Sequence, residues 1–246
     1  MSSESLSPEL NSQLPSTMAA EAPPTARAEF IRRAYIHLGG AILIFTLLEL
    51  AIFQTSIPDM ALAALGAVPY SWLMVVGAFT GVAWLATHLA ESDTSVEVQY
   101  AGLGIYILAE TLIFIPMLAI ARQVAGASAI QSAALLSLML FTGLTVAAFA
   151  TQHDFSWIGP ILCVGCFVAL GVIVCSMLFG FNLGVIFSAV MVLLAAGAIL
   201  YDTSNVIHHY RTDQHVAASL SLFASVAFLF WYVLRIAISF YVNTDD

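Results

Sequence analysis

The sequence predicts an all-α polytopic membrane protein of seven transmembrane helices, and three observations carry that expectation. The 246 residues are 61% hydrophobic and 9% charged, against about 25% charged in soluble chains. Mean hydropathy is +0.97, so a soluble fold would leave more apolar surface than it could cover. The apolar runs also reach the roughly 20 residues that a membrane helix needs. In lipid only helices and closed barrels satisfy their own backbone, and barrel strands are alternating segments of about 9 to 11 residues.

Taken in order, residues 1–28 are rich in Ser, Pro, Glu and Ala without sustained periodicity, the composition of a disordered, solvated head. The apolar stretch that follows is too long for a cleaved signal, and further spans come after it. Polar and turn residues then divide 29–246 into a membrane domain with spans at 34–54, 70–90, 98–121, 129–150, 157–179, 183–207 and 216–241. The connections are short: IPD (57–59), AESDTSVE (90–97), RQVAGAS (122–128), TQHDFS (151–156), GFN (180–182) and HHYRTDQH (208–215). They leave no room for a separate soluble domain. Gly77, Gly81, Gly165 and Gly171 are candidates for close helix approach.

The charge distribution gives an orientation. In a seven-span arrangement Arg27, Arg32, Arg33 and Arg211 share the amino-terminal side, while Arg122 is in a loop on the other. That bias predicts a cytoplasmic amino terminus and an external carboxyl terminus. A net charge of −9, with Glu4, Glu9, Glu21, Glu29, Asp245 and Asp246 contributing at the two ends, and no lysine beside the six basic residues excludes a nucleic-acid partner, which requires a basic stripe. Cys163 and Cys166 form a CxxC and Cys175 lies in the same apolar segment. A helical i, i+3 thiol pair lacks the turn of a redox motif and the partners of a zinc site, so all three read as small packing residues.

Ionisable groups at membrane depth cost about 2.5 to 3.5 kcal/mol each on insertion scales and mark function by default. Glu110 falls roughly 18 Å into the third span, near the midplane, and Glu49 roughly 22 Å along the first. Asp202 is about 8 Å from the end of the sixth span, and Arg235 is at a similar remove from the outer end of the seventh. Arg235 can snorkel to the headgroups, and Glu49 can hydrogen-bond a neighbouring helix. Asp202 and Glu110 have no intramembrane lysine to neutralise them. Lining one polar cavity, they would bind a cation, and they are candidate contacts for calcium, which takes carboxylate and carbonyl oxygens. His208, His209 and His215, with Asp213, crowd the loop below Asp202, where pH could change their charge. Their spacing fits no compact zinc pattern, and a solvated loop is the competing reading. His37, His88 and His153 are expected on the same face.

The segments FIRRAYIHLGG (30–40), FTGLTVAAFATQHDFSW (141–157) and ILYDTSNVIHHYRTDQHVAASLSL (199–222) resemble the Bax inhibitor 1 (transmembrane Bax-inhibitor-motif) family over nearly everything after residue 29. The resemblance implies seven helices with the last wrapped by the first six. It also implies a pH-gated calcium leak in which two aspartates on the sixth and seventh helices share a proton. Asp202 matches the first aspartate; Ser225 stands where the second is expected, and Phe228 where the family carries an asparagine. The second span ends in THLAES, with His88 rather than an arginine as the nearest base. Glu110 falls where many members carry a third-span glutamate. A serine at that seventh-helix position and an acidic tail resemble the bacterial branch that associates with the membrane protease FtsH, which would grip the amino-terminal head.

Two functions follow as expectations: a calcium or other cation leak with Asp202 and Ser225 at its gate and Glu110 deeper along it, or a modulator of FtsH without transport. No cofactor is implied beyond the ion carried. An intramembrane enzyme is disfavoured, because the chain shows no GxSxG-type nucleophile elbow, no HExxH and no second aspartate to pair with Asp202. Short loops and the serine variant favour a bacterial inner membrane.

Overall fold

The computed structural model describes residues 17–68, 70–92 and 95–242. Among these, the chain is helical: α1 (Pro24–Ile52), α2 (Ile57–Ala67), α3 (Ser71–Ala90), α4 (Val96–Val124), α5 (Gly126–Thr151), α6 (Gly159–Phe179), α7 (Val185–His208) and α8 (His215–Val242). All except α2 are long and apolar enough to span a bilayer, which makes seven spans.

The boundaries have local causes. Pro24 at the first turn starts α1, where its missing N–H loses nothing. The Ser95 hydroxyl accepts from the Val98 N–H to cap α4. α5 and α6 end on the left-handed residues Gln152 and Gly180. The helix of α1 begins ten residues before the expected span, because the hydropathy pattern marks lipid-compatible residues whereas Arg27–Arg33 is polar but helix-competent; Arg33 pairs with Glu29 one turn away. Residues 1–16 of the expected solvated head, and the acidic tail at Asp245 and Asp246, lie outside the described residues. Residues 17–28 are ordered instead. Met18 bridges Arg211, the Ala19 N–H donates to the Tyr210 carbonyl at 2.8 Å, and Ala19 is fully buried. The IPD segment is not a loop but the start of α2.

Two helices occupy the centre. Of the most apolar window of each span, 67% is buried in α8 and 61% in α4, against 6% in α6. α8 packs on α7, α5, α1, α4 and α3, while α6 packs along α7 and reaches α8 through the Ala169, Met191 and Tyr232 cluster. The last helix is therefore wrapped, most loosely on the α6 side. Gly77, Gly81 and Gly171 have nothing near their Cβ positions and Gly165 meets only the end of the Leu194 side chain. The close approach is at Gly102, where an added Cβ would sit 2.5 Å from the Ala86 carbonyl oxygen. The three free cysteines are exposed on α6 rather than packed in the core.

Consecutive spans alternate in direction, so residues 17–23, 91–92, 152–158 and 209–214 share one end of the bundle, here the histidine end. Residues 53–68, 70 and 180–184 share the opposite end.

Candidate functional site

Asp202 faces inward because it shares a helix face with the buried Ile199 and Val206 of α7. Ser225 shares one with the buried Leu222 and Leu229 of α8. Packing α7 on α8 brings them together, and the Ser225 hydroxyl donates to Asp202 Oδ2 at 2.5 Å. Both side chains are buried, as are the neighbouring Thr203 and Ser204. The position that would carry a second acid thus supplies a hydrogen-bond donor.

Glu110, also buried, lies in α4 beside Tyr106. The Tyr106 ring stands edge-on to Phe79 of α3 and Phe223 of α8. Glu110, Tyr106 and Ser225 line a cavity of about 600 Å³ together with Trp72, Trp231 and Arg235. Ser225 and Arg235 are ten residues apart on α8, about 15 Å by helical rise. Asp202 is not a lining residue; Ser225 stands between it and the cavity.

The histidines do not form one cluster. His209 pairs with Asp154 at 3.1 Å, His208 contacts the Ser204 carbonyl at 3.0 Å, and His215 turns towards Tyr100 and His37. Asp213 pairs with Arg211. His208 thus stays on its own helix, His209 reaches the loop before α6, and His215 faces α1 and α4. Asp154 is a site residue that the sequence reading passed over as loop. Its carboxylate accepts from the Ser156 N–H at 2.9 Å; that backbone bond first, and His209 after it, hold it at about 2, below the ordinary carboxylate value. An Asp two residues before a Ser is a turn signal, but its pairing with His209 depends on a contact 55 residues away.

Glu49 departs from expectation. It is buried, yet both carboxyl oxygens lack a hydrogen-bond partner among the described residues. Arg235 Nη2 donates to the Leu183 carbonyl at 2.9 Å, which takes one of its donors. His88 stacks on Trp84 one turn before it in α3. Among the described residues no group of three or more His, Cys, Asp or Glu side chains is placed to hold a metal, and Asp202 and Glu110 do not converge into one.

Six apolar spans around a central seventh, with buried acids beside a cavity, define a multi-pass membrane protein. The family model described as inhibitor of apoptosis-promoting Bax1 matches residues 27–241, and the chain belongs to that family. It is 34% identical over 112 residues to an uncharacterized protein of Pseudomonas aeruginosa, covering 45% of this chain and 50% of that one. It is 32% identical over 149 residues to the protein LIFEGUARD 3 of Arabidopsis thaliana, 56% of each. It is 36% identical over 87 residues to the modulator of FtsH protease YccA of Escherichia coli, 35% of this chain and 39% of that one. The matched segments thus span about half or less of the curated relatives' lengths.

Proposed function

We propose that this protein is a cation leak pathway held closed, with calcium as the cation and the Asp202 and Ser225 pair as its gate. The observation that supports this reading is the cavity that runs from Arg235 to Glu110 and Ser225 and stops at the Ser225 to Asp202 hydrogen bond. A cation entering from that end passes the Arg235 guanidinium and then meets Glu110, the one carboxylate on the cavity wall among the described residues. Past Ser225, passage towards the histidine end requires α7 and α8 to separate and Asp202 to exchange its hydroxyl partner for the ion. One acid and a serine cannot share a proton as two acids do, so any pH response depends on Asp202 itself. The expected orientation, amino terminus in the cytoplasm of a bacterial inner membrane and carboxyl terminus outside, rests on the arginine bias. Reporter fusions at each terminus test it.

The test is calcium flux into liposomes loaded with an indicator dye. The parent protein admits calcium, and Asp202→Asn and Glu110→Gln each change the rate, with Asp202→Asn also altering its pH profile. Flux unchanged in both rate and pH profile by Asp202→Asn would rule out the gate.

A second reading, a modulator of an FtsH-type membrane protease acting without transport, is favoured by the similarity to the E. coli modulator. Residues 17–28 are built into the fold, so the amino-terminal truncation that tests it stops at residue 16. Loss of that segment should abolish any effect on protease turnover and leave liposome flux as it was. A truncated chain that still modulates the protease would remove the head from the interaction.

A further inference from the structure

Arg235 is a half-buried charge that no described carboxylate answers. The Leu183 carbonyl takes one of its five donors, and its guanidinium stands 6.0 Å from the Phe187 ring centre. None of the ion pairs among the described residues includes it. Two cavities meet at this side chain, one of about 600 Å³ and one of about 720 Å³, and Trp72, Leu183, Trp231 and Arg235 line both. Trp72 and Trp231 stack with centroids 5.7 Å apart at the junction. The walls beyond are mainly apolar: Val76 of α3 faces Ile173 and Met177 of α6 in one cavity, and Met117 and Ile120 of α4 line the other. α3 and α6 do not pack along one another, so the first cavity has a side towards the surrounding lipid.

We infer that this junction is a binding site for an anionic phospholipid, with the headgroup phosphate on Arg235 and the acyl chains in the cavities that diverge from the tryptophan stack. Charge complementarity identifies the headgroup. The planar guanidinium retains donors in the fork that matches phosphate. The depth agrees, since Arg235 is seven residues from the end of α8, about 10 Å by helical rise, within snorkelling reach of the interface. The apolar volume identifies the rest. A soluble anion would satisfy the guanidinium and leave both cavities unfilled, whereas a zwitterionic lipid would fill them with a headgroup of no net charge. An acyl chain there would share the 600 Å³ cavity with the proposed cation route, and separate readouts tell the two apart: quenching reports the lipid and liposome flux reports the ion.

Quenching by brominated lipid tests it. Trp84 and Trp157 are exposed on the bundle surface; Trp84→Phe and Trp157→Phe together leave emission from Trp72 and Trp231. In phosphatidylcholine vesicles, a small share of brominated phosphatidylglycerol should quench this emission at a mole fraction about fivefold lower than brominated phosphatidylcholine, the preference expected of one basic contact. Arg235→Gln should bring the two lipids to parity, and Arg235→Lys, which keeps the charge but not the fork, should retain part of the preference. Soluble glycerol phosphate should not relieve the quenching. Equal quenching by both lipids in the parent overturns the inference, as does a preference unaffected by Arg235→Gln. Relief by glycerol phosphate overturns the lipid in favour of a soluble anion. Should Arg235→Gln fail to reconstitute, the parent and Arg235→Lys decide it: Arg235→Lys matching the parent in full would remove the guanidinium fork.

Discussion

A hydroxyl facing Asp202 does different work from a second carboxylate in the same place. It donates, Asp202 accepts, and the pair is satisfied without a shared proton. Hydrogen bonds between membrane helices contribute on average about 0.6 kcal/mol and up to about 1.7, so Ser225→Ala should lower stability in detergent by about 1 kcal/mol. Thermal unfolding of the purified variant checks this, and an unchanged midpoint would mean that the bond contributes nothing net. Glu49 is the opposite case. Its oxygens are buried without partners, and a buried unsatisfied polar group costs about 1 to 3 kcal/mol. Glu49→Leu, which fills the same apolar surroundings, should raise the unfolding midpoint. A lower midpoint would show that Glu49 has a partner in the membrane.

Among the elements, the α3 and α4 contact is set by one position. Gly102 brings the two helices so close that a methyl group would fall 2.5 Å from the Ala86 carbonyl oxygen and 2.6 Å from the Ala90 nitrogen. Both are backbone atoms and cannot swing aside. Gly102→Ala should therefore destabilise by about 1 to 3 kcal/mol as an overpacked contact, while Gly77→Ala and Gly81→Ala, which face open space, should be near neutral. Unfolding midpoints of the three variants side by side make the comparison. The same positions show what the sequence could and could not say. Each span was visible because lipid selects apolar runs, and a charge inside such a run, Asp202 or Glu110, stands out for the same reason. Which glycine touches a neighbour depends on that neighbour, and glycine alone carries no sign of it. The first ten residues of α1 were missed because hydropathy registers the solvent around a helix rather than helix formation, and α2 was missed because its eleven residues, though apolar, are too few for a span. Ser225 was legible only through the family pattern; its hydrogen bond with Asp202 is a product of packing.

In the whole molecule the two ends are built differently. The end at Arg235 opens into two cavities. The histidine end is tied across the chain by the Met18 and Arg211 bridge, the His37, Tyr100 and His215 contacts, and the Asp154 and His209 pair. If the histidine end is what keeps the bundle shut, these ties should be strong at neutral pH. Asp154 allows a direct check. Its folded value, about 2, lies below the ordinary value of about 3.9. A depressed carboxylate contributes its stability above the unfolded value, and that contribution is lost as pH falls from about 4 towards about 2. The Asp154 side chain is 46% exposed, so screening by water keeps the effect local rather than global. Hydrogen exchange across residues 152–158 and 209–212 should accordingly be faster in Asp154→Ala than in the parent at neutral pH. Asp154→Asn, which keeps an acceptor for the Ser156 N–H but loses the charge facing His209, should fall between them. Equal protection in all three would mean that the loop is held by the Phe155 N–H to Ser204 hydroxyl bond instead. The closed end would then depend on α7 backbone placement and not on a titratable tie.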